Sequence, residues 1–92
     1  MARAIVTLRV MPTSPDVDLV KLENDVKQKI YKFAGQTETR TTVEPIAFGL
    51  KSVNIIFVME ESQGTTDPLE KDISTLEDVN SVEVIDVRRA IG

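Results

Sequence analysis

The chain has no cysteine and no histidine. Without cysteine there are no disulfides, no thiolate metal sites and no cysteine nucleophile. Without histidine the commonest general base, the commonest metal ligand and any Ser-His-Asp arrangement are excluded too. An enzymatic reading would have to rest on carboxylates, lysines or arginines, which weakens it. No apolar run approaches the roughly 20 residues of a membrane-spanning helix. The apolar opening, Ala4-Ile5-Val6-Thr7-Leu8-Arg9-Val10, carries Arg9 within it and has no small-residue cleavage site after it. It reads as a strand and not as a signal peptide, and a cytoplasmic protein without a membrane partner is expected. An excess of positive charge is also missing. Eleven basic and 15 acidic residues leave a net charge of −4, which gives no electrostatic footprint for direct nucleic-acid binding.

Aromatics are scarce: only Tyr31, Phe33, Phe48 and Phe57. One of them, Phe48, falls in the turn Pro45-Ile46-Ala47-Phe48-Gly49-Leu50, where a hairpin tip should be polar. Binding residues are often carried on loops held by a rigid scaffold. The plain alternative is that Phe48 folds back over the end of the core. The chain is 41% hydrophobic, enough for one globular domain over residues 1–92, with a modest core.

Period-two alternation from Ala4 to Met11 argues for a half-buried strand, with Ala4, Val6, Leu8 and Val10 on one face. Pro12-Thr13-Ser14-Pro15 ends it. Asp16 or Ser14 can cap the helix that follows. Leu19, Leu22, Val26, Ile30 and Phe33, at spacings of three and four, form its apolar face, and Gly35 suits its C-terminal cap. Thr37 to Val43 is threonine-rich and suits an edge strand. Ser52 to Met59 is the most apolar strand and suits the centre. Asp67-Pro68-Leu69-Glu70 reads as a second helix start, with Asp67 as cap and Pro68 in the first helical position. Leu69, Ile73, Leu76 and Val79 supply its buried face, and Asn80-Ser81 breaks it. Val82 to Val87 forms the last strand. There Val82 and Val84 point one way, Ile85 and Val87 the other, so a bulge or burial of both faces is expected.

Strand, helix, strand, strand, helix, strand is the split βαβ, ferredoxin-like pattern. The predicted fold is α+β: a βαββαβ sandwich with a four-stranded antiparallel sheet and two helices on one face. The first and third strands sit at its centre. This fold hosts many functions, so sites must decide. An RNA-recognition module needs aromatics on both central strands. The first strand has none and the third only Phe57, which reads as core. A small-ligand-binding or regulatory domain would want a glycine-bearing loop after the first strand, and that loop has no glycine. An acylphosphatase-like hydrolase would want a water-positioning asparagine beside a glycine-rich anion loop. Asn24, Asn54 and Asn80 all lie elsewhere.

The run Pro45-Ile46-Ala47-Phe48-Gly49-Leu50-Lys51-Ser52-Val53-Asn54-Ile55 resembles a segment of the elongation factor 1-beta family, guanine-nucleotide exchange factors of archaeal and eukaryotic translation. In that family a proline-isoleucine-glycine-aromatic-glycine-isoleucine-lysine run leads into a central strand. Val58-Met59-Glu60-Glu61, the opening Ala4-Ile5-Val6-Thr7-Leu8-Arg9-Val10-Met11-Pro12 and the tail Asn80 to Ala90 are similar to further segments. The resemblance covers essentially the whole chain, and the length is similar to the stand-alone archaeal form.

The resemblance implies nucleotide exchange on the elongation factor 1-alpha GTPase, a role without covalent chemistry, cofactor or bound metal of its own. By position Phe48 matches the family's aromatic, which inserts into the GTPase. Arg89, with Arg88 beside it, matches a basic residue that approaches the magnesium and phosphate region and displaces the ion. Ile46, Ala47, Gly49 and Lys51 complete the candidate contact set. Two positions depart from the family's pattern: Ala47 stands where a glycine is usual, and Arg89 where eukaryotic members have a lysine. A small-ligand-binding ferredoxin-like domain remains the alternative.

Overall fold

The computed structural model describes residues 2–90. The alternating first run forms β1 (Arg3–Pro12), burying Ala4, Val6, Leu8 and Val10. α1 (Leu19–Ala34) follows, then β2 (Thr39–Pro45) and β3 (Lys51–Glu60). A single 3-10 turn (Glu61–Gln63), α2 (Asp67–Ser74) and β4 (Val79–Ala90) complete the order. The sheet runs β2-β3-β1-β4 and every neighbouring pair is antiparallel. This is the ferredoxin-like arrangement expected from the sequence, with β1 and β3 central and the threonine-rich β2 at an edge.

The core lies on one side of the sheet. Val6, Leu8 and Val10 of β1 and Val53, Ile55 and Phe57 of β3 meet Leu22, Val26 and Ile30 of α1 and Leu69 and Ile73 of α2. Leu19, Phe33 and Leu76 pack partly buried around them. Both helices therefore cover the same face. Phe57 is fully buried, so it is core and offers no stacking surface. Lys29 donates to Asp72 at 3.1 Å and ties the two helices together.

Several boundaries differ from the sequence expectation, each for a local reason. Asp18 caps α1, not Ser14 or Asp16. Its carboxylate accepts from the N–H groups of Val20 and Lys21 at 3.1 and 3.2 Å. Asp18 stands directly before Leu19, the first residue of the apolar row, which is where a cap belongs. The Ser14 hydroxyl is already engaged within the loop, by the Asp16 N–H. In α2 the cap lies one residue early, at Thr66, and Asp67 opens the first turn. The Glu70 N–H donates to the Thr66 carbonyl at 3.0 Å, the first backbone bond of the helix, which makes Thr66 the cap. β2 begins and ends two residues late, because its ladder with β3 runs from Thr39–Phe57 to Pro45–Lys51.

β4 is longer than expected at both ends and carries the bulge. Thr7 stands opposite Asp86 and Leu8 opposite Val84, so Ile85 has no partner. Beyond that point Val87 faces Val6 and Arg89 faces Ala4, on the helix-covered side of the sheet. Val87 thus shares a side with Val82 and Val84, not with Ile85 as plain alternation suggests. It is nevertheless 60% exposed. An eight-residue helix such as α2 covers only about 12 Å of the sheet, far less than the length of β4.

Candidate functional site

The β2–β3 hairpin closes through two backbone bonds. Ile46 donates its N–H to the Leu50 carbonyl at 2.8 Å, and Leu50 donates to the Ala47 carbonyl at 3.1 Å. Between them Phe48 and Gly49 have φ values of 58° and 77°. Positive φ at both central residues is the type I′ signature, whose twist matches the flanking strands. Glycine fills the second position without strain. The first usually takes asparagine or aspartate; here a phenylalanine holds it. Ala47 has no positive φ, so the glycine usual there in the family is not required by this turn. A Cβ on Gly49 would lie 3.8 Å from the Pro15 Cβ, so the tip is seated beside the β1–α1 loop.

Phe48 does not fold back over the core. It is 95% exposed. Ile46 on the same tip and Val43 just before it are also exposed. Lys51 is exposed at the start of β3 and forms no ion pair among the described residues. Two more exposed apolar residues, Ile85 and Val87, lie in β4 just before the arginines. Val20 of α1 is the one other exposed large apolar side chain among the described residues.

The two arginines point to opposite sides of the sheet. Arg88 faces Ile5 on the uncovered side, where its Nε donates to Asp86 at 3.1 Å. Arg89 faces Ala4 on the helix side. Its Nε donates to Glu61 Oε1 at 2.7 Å and its Nη2 to Glu61 Oε2 at 3.3 Å. Glu61 belongs to the 3-10 turn that follows β3, so Arg89 reaches across β1 to make this bond. The hydrogen bond and charge of Glu61 raise the Arg89 pKa above its ordinary value. An arginine is a permanent cation with or without that shift.

The antiparallel ladders fix where the two candidate groups stand. Lys51, at the hairpin, is level with the far end of β1, beyond the Val10–Val53 pair. Arg89 shares a row with Ala4 and Met59, at the opposite end of the same strands. Eight strand residues separate Lys51 from Met59, roughly 26 Å at about 3.3 Å per residue. The molecule is 42 Å long, so the turn and the tail sit near opposite ends of it. The sequence had suggested both groups but not their separation. In the sequence Glu61 stands out only as the end of the family-like segment Val58-Met59-Glu60-Glu61, with no role of its own. Its partner lies 28 residues away in sequence, and no local signal joins them.

Among the described residues no group of three or more acidic side chains is placed to hold a metal, and no helix is long and apolar enough to cross a membrane. A groove of about 410 Å³ lies beside the start of β2, lined by Arg3, Gln36, Thr37, Glu38, Val58 and Glu60 among others. It is remote from the hairpin and shares no residue with the candidate contact set.

The model of the EF-1 guanine nucleotide exchange domain matches residues 5–90. The chain is 39% identical over 89 residues to elongation factor 1-beta of Methanothermobacter thermautotrophicus, spanning 97% of this chain and 98% of that protein. It is 40% identical over 89 residues to elongation factor 1-beta of Methanobrevibacter smithii, with the same coverage. Among solved structures it is similar to a de novo designed protein, Foldit4, at a TM-score of 0.65 and 13% identity, covering 98% of each chain. The ACT domain from GTP pyrophosphokinase of Chlorobium tepidum gives a TM-score of 0.54 at 20% identity, covering 88% of this chain and 96% of that one. These two likenesses concern the fold alone.

Proposed function

Because the chain belongs to the EF-1 guanine nucleotide exchange domain family, we propose that it promotes GDP release and GTP reloading on elongation factor 1-alpha through two contacts at opposite ends of its sheet. Such a factor forms and breaks no covalent bond. It binds the nucleotide-free or metal-free GTPase better than the loaded one, because only differential affinity shifts an equilibrium. A thousandfold acceleration corresponds to about 4 kcal/mol of barrier lowering.

Phe48 is the first contact, and its exposure at the tip of a braced hairpin is the observation that carries the reading. Aromatics dominate interface hot spots, and one filling a pocket is worth about 2 kcal/mol or more. Ile46 and Ala47 extend the apolar tip, Gly49 gives the turn its shape, and Lys51 offers a cation beside it. Arg89 is the second contact. Its fixed positive charge would compete with magnesium and bind oxyanions in the nucleotide site of the GTPase. Arg88 is a lesser candidate, since it faces the other side of the sheet. Action on a translation GTPase supports a cytoplasmic location.

Release of a fluorescent GDP analogue from an archaeal elongation factor 1-alpha tests the reading directly. The protein should accelerate release in a saturable way. Unaltered release at micromolar protein would overturn the assignment.

A further inference from the structure

We infer that Glu61 is a positioning residue, which holds the Arg89 guanidinium side-on and presents its remaining edge to an oxyanion of the GTPase nucleotide site. The inference rests on the exchange reading above and deepens it. An arginine has two edges that can each grip an oxyanion, one formed by Nε and Nη2, the other by Nη1 and Nη2. Glu61 takes the first, through bonds of 2.7 and 3.3 Å. Of the second edge, Nη1 makes no bond among the described residues and Nη2 keeps its other N–H for a partner. The Arg89 side chain is 69% exposed and Glu61 only 33%, so the pair is anchored on the glutamate and open on the arginine side.

The backbone explains why this particular pair forms. Arg89, Ala4 and Met59 make one row across β4, β1 and β3. Ala4 is the smallest inward residue of β1, and Arg89 stands opposite it and bonds to the turn after β3. That turn is itself pinned, because Glu61 donates its backbone N–H to the Ala2 carbonyl at 3.2 Å. A long arginine otherwise loses rotamer freedom when it is fixed at a partner. Glu61 fixes it beforehand, in the free protein.

The same geometry gives a reason for arginine at position 89. A lysine has one nitrogen and no second planar edge. If it paired with Glu61 it would have no preorganised face left for the partner. In this chain Arg89→Lys should therefore act as a loss and not as a conservative change.

A double-mutant cycle on stimulated GDP release tests the inference. Glu61→Ala should lower the exchange rate at saturating factor by roughly five- to twentyfold, within the hundredfold that a misplacement of about 1 Å can cost. Its half-saturating concentration should move by less than about twofold, since positioning acts on the rate step. Glu61→Gln, which keeps an acceptor for Nε, should fall between Glu61→Ala and the unaltered protein. In an Arg89→Ala background, Glu61→Ala should have no further effect. The Arg89 Nε–H resonance should exchange slowly with water in the parent protein and rapidly in Glu61→Ala, whatever happens to activity. An unaltered or faster rate in Glu61→Ala overturns the inference, and so does an equal loss with or without Arg89. If Arg89→Ala itself exchanges at the parent rate, the reading of the tail falls and this inference with it. If Arg89→Ala is slow while Glu61→Ala is not, only the inference about Glu61 falls.

Discussion

Phe48 sits where local energetics would not choose it. Its φ of 58° lies in the left-handed region, which costs a bulky non-glycine residue on the order of 1–3 kcal/mol. The first central position of a type I′ turn favours asparagine, which tolerates that geometry. Phe48→Asn should therefore raise stability by about 1 kcal/mol and the melting temperature by roughly 4–8 °C in a domain this size. Thermal unfolding followed by circular dichroism measures it; an unchanged or lower melting temperature would mean that no strain is stored there. Exchange on elongation factor 1-alpha should fall in the same variant. Phe48→Ala should cut stimulated GDP release at low factor by roughly thirtyfold, the equivalent of about 2 kcal/mol, and leave the fold intact, since a side chain 95% exposed adds nothing to the core. Parent-like exchange rates in Phe48→Ala would remove the turn from the site. The candidate aromatic was legible in the sequence because aromatics are so few that one in a turn stands out. Its backbone strain was not legible, because the positive φ comes from closing the hairpin between two paired strands. Asp18 is hidden for a smaller reason: Ser14 and Asp16 are equally good capping residues by type, but the Ser14 hydroxyl accepts from the Asp16 N–H and both residues stand too far ahead of Leu19.

At the scale of the element, the β4 bulge decides which arginine faces Glu61. A strand shifted by one residue turns every side chain to the other face. With Ile85 in regular register, Asp86 would fall opposite Val6, over the core, and Arg88 opposite Ala4. The bulge at Ile85 keeps Asp86 on the uncovered side and brings Arg89 to the helix side. The sequence signalled an irregularity, because valine and isoleucine break alternation between Val84 and Ile85. It did not say which residue is extruded, since that depends on the partner ladder of β1. Insertion of one alanine between Val87 and Arg88 moves Arg88 to the position opposite Ala4. In that background Arg88→Ala should slow stimulated GDP release, and Arg89→Ala should not. If the two arginines keep their original ranking after the insertion, the register of β4 does not determine which of them serves.

Across the whole molecule, the turn and the tail are held apart by the full length of the central strands. That order was readable from the βαββαβ pattern, but the separation needed the ladders: β3 carries the hairpin at one end and the Arg89 row at the other. No side-chain network needs to join the two contacts, and groups more than about 10 Å apart generally act independently. The effects of Phe48→Ala and Arg89→Ala on the rate of stimulated GDP release at low factor should therefore multiply, to within about twofold. Glu61→Ala with Arg89→Ala should not, because those two side chains share one bond. A partner that meets both ends must present a surface at least about 26 Å long, the span of eight strand residues. Hydrogen exchange on the complex should then show protection at residues 46–51 and again near residues 87–90. Protection confined to one end, together with a Phe48→Ala and Arg89→Ala pair that fails to multiply, would mean that the GTPase engages a single site and that the other is a solvent-facing end of the sheet.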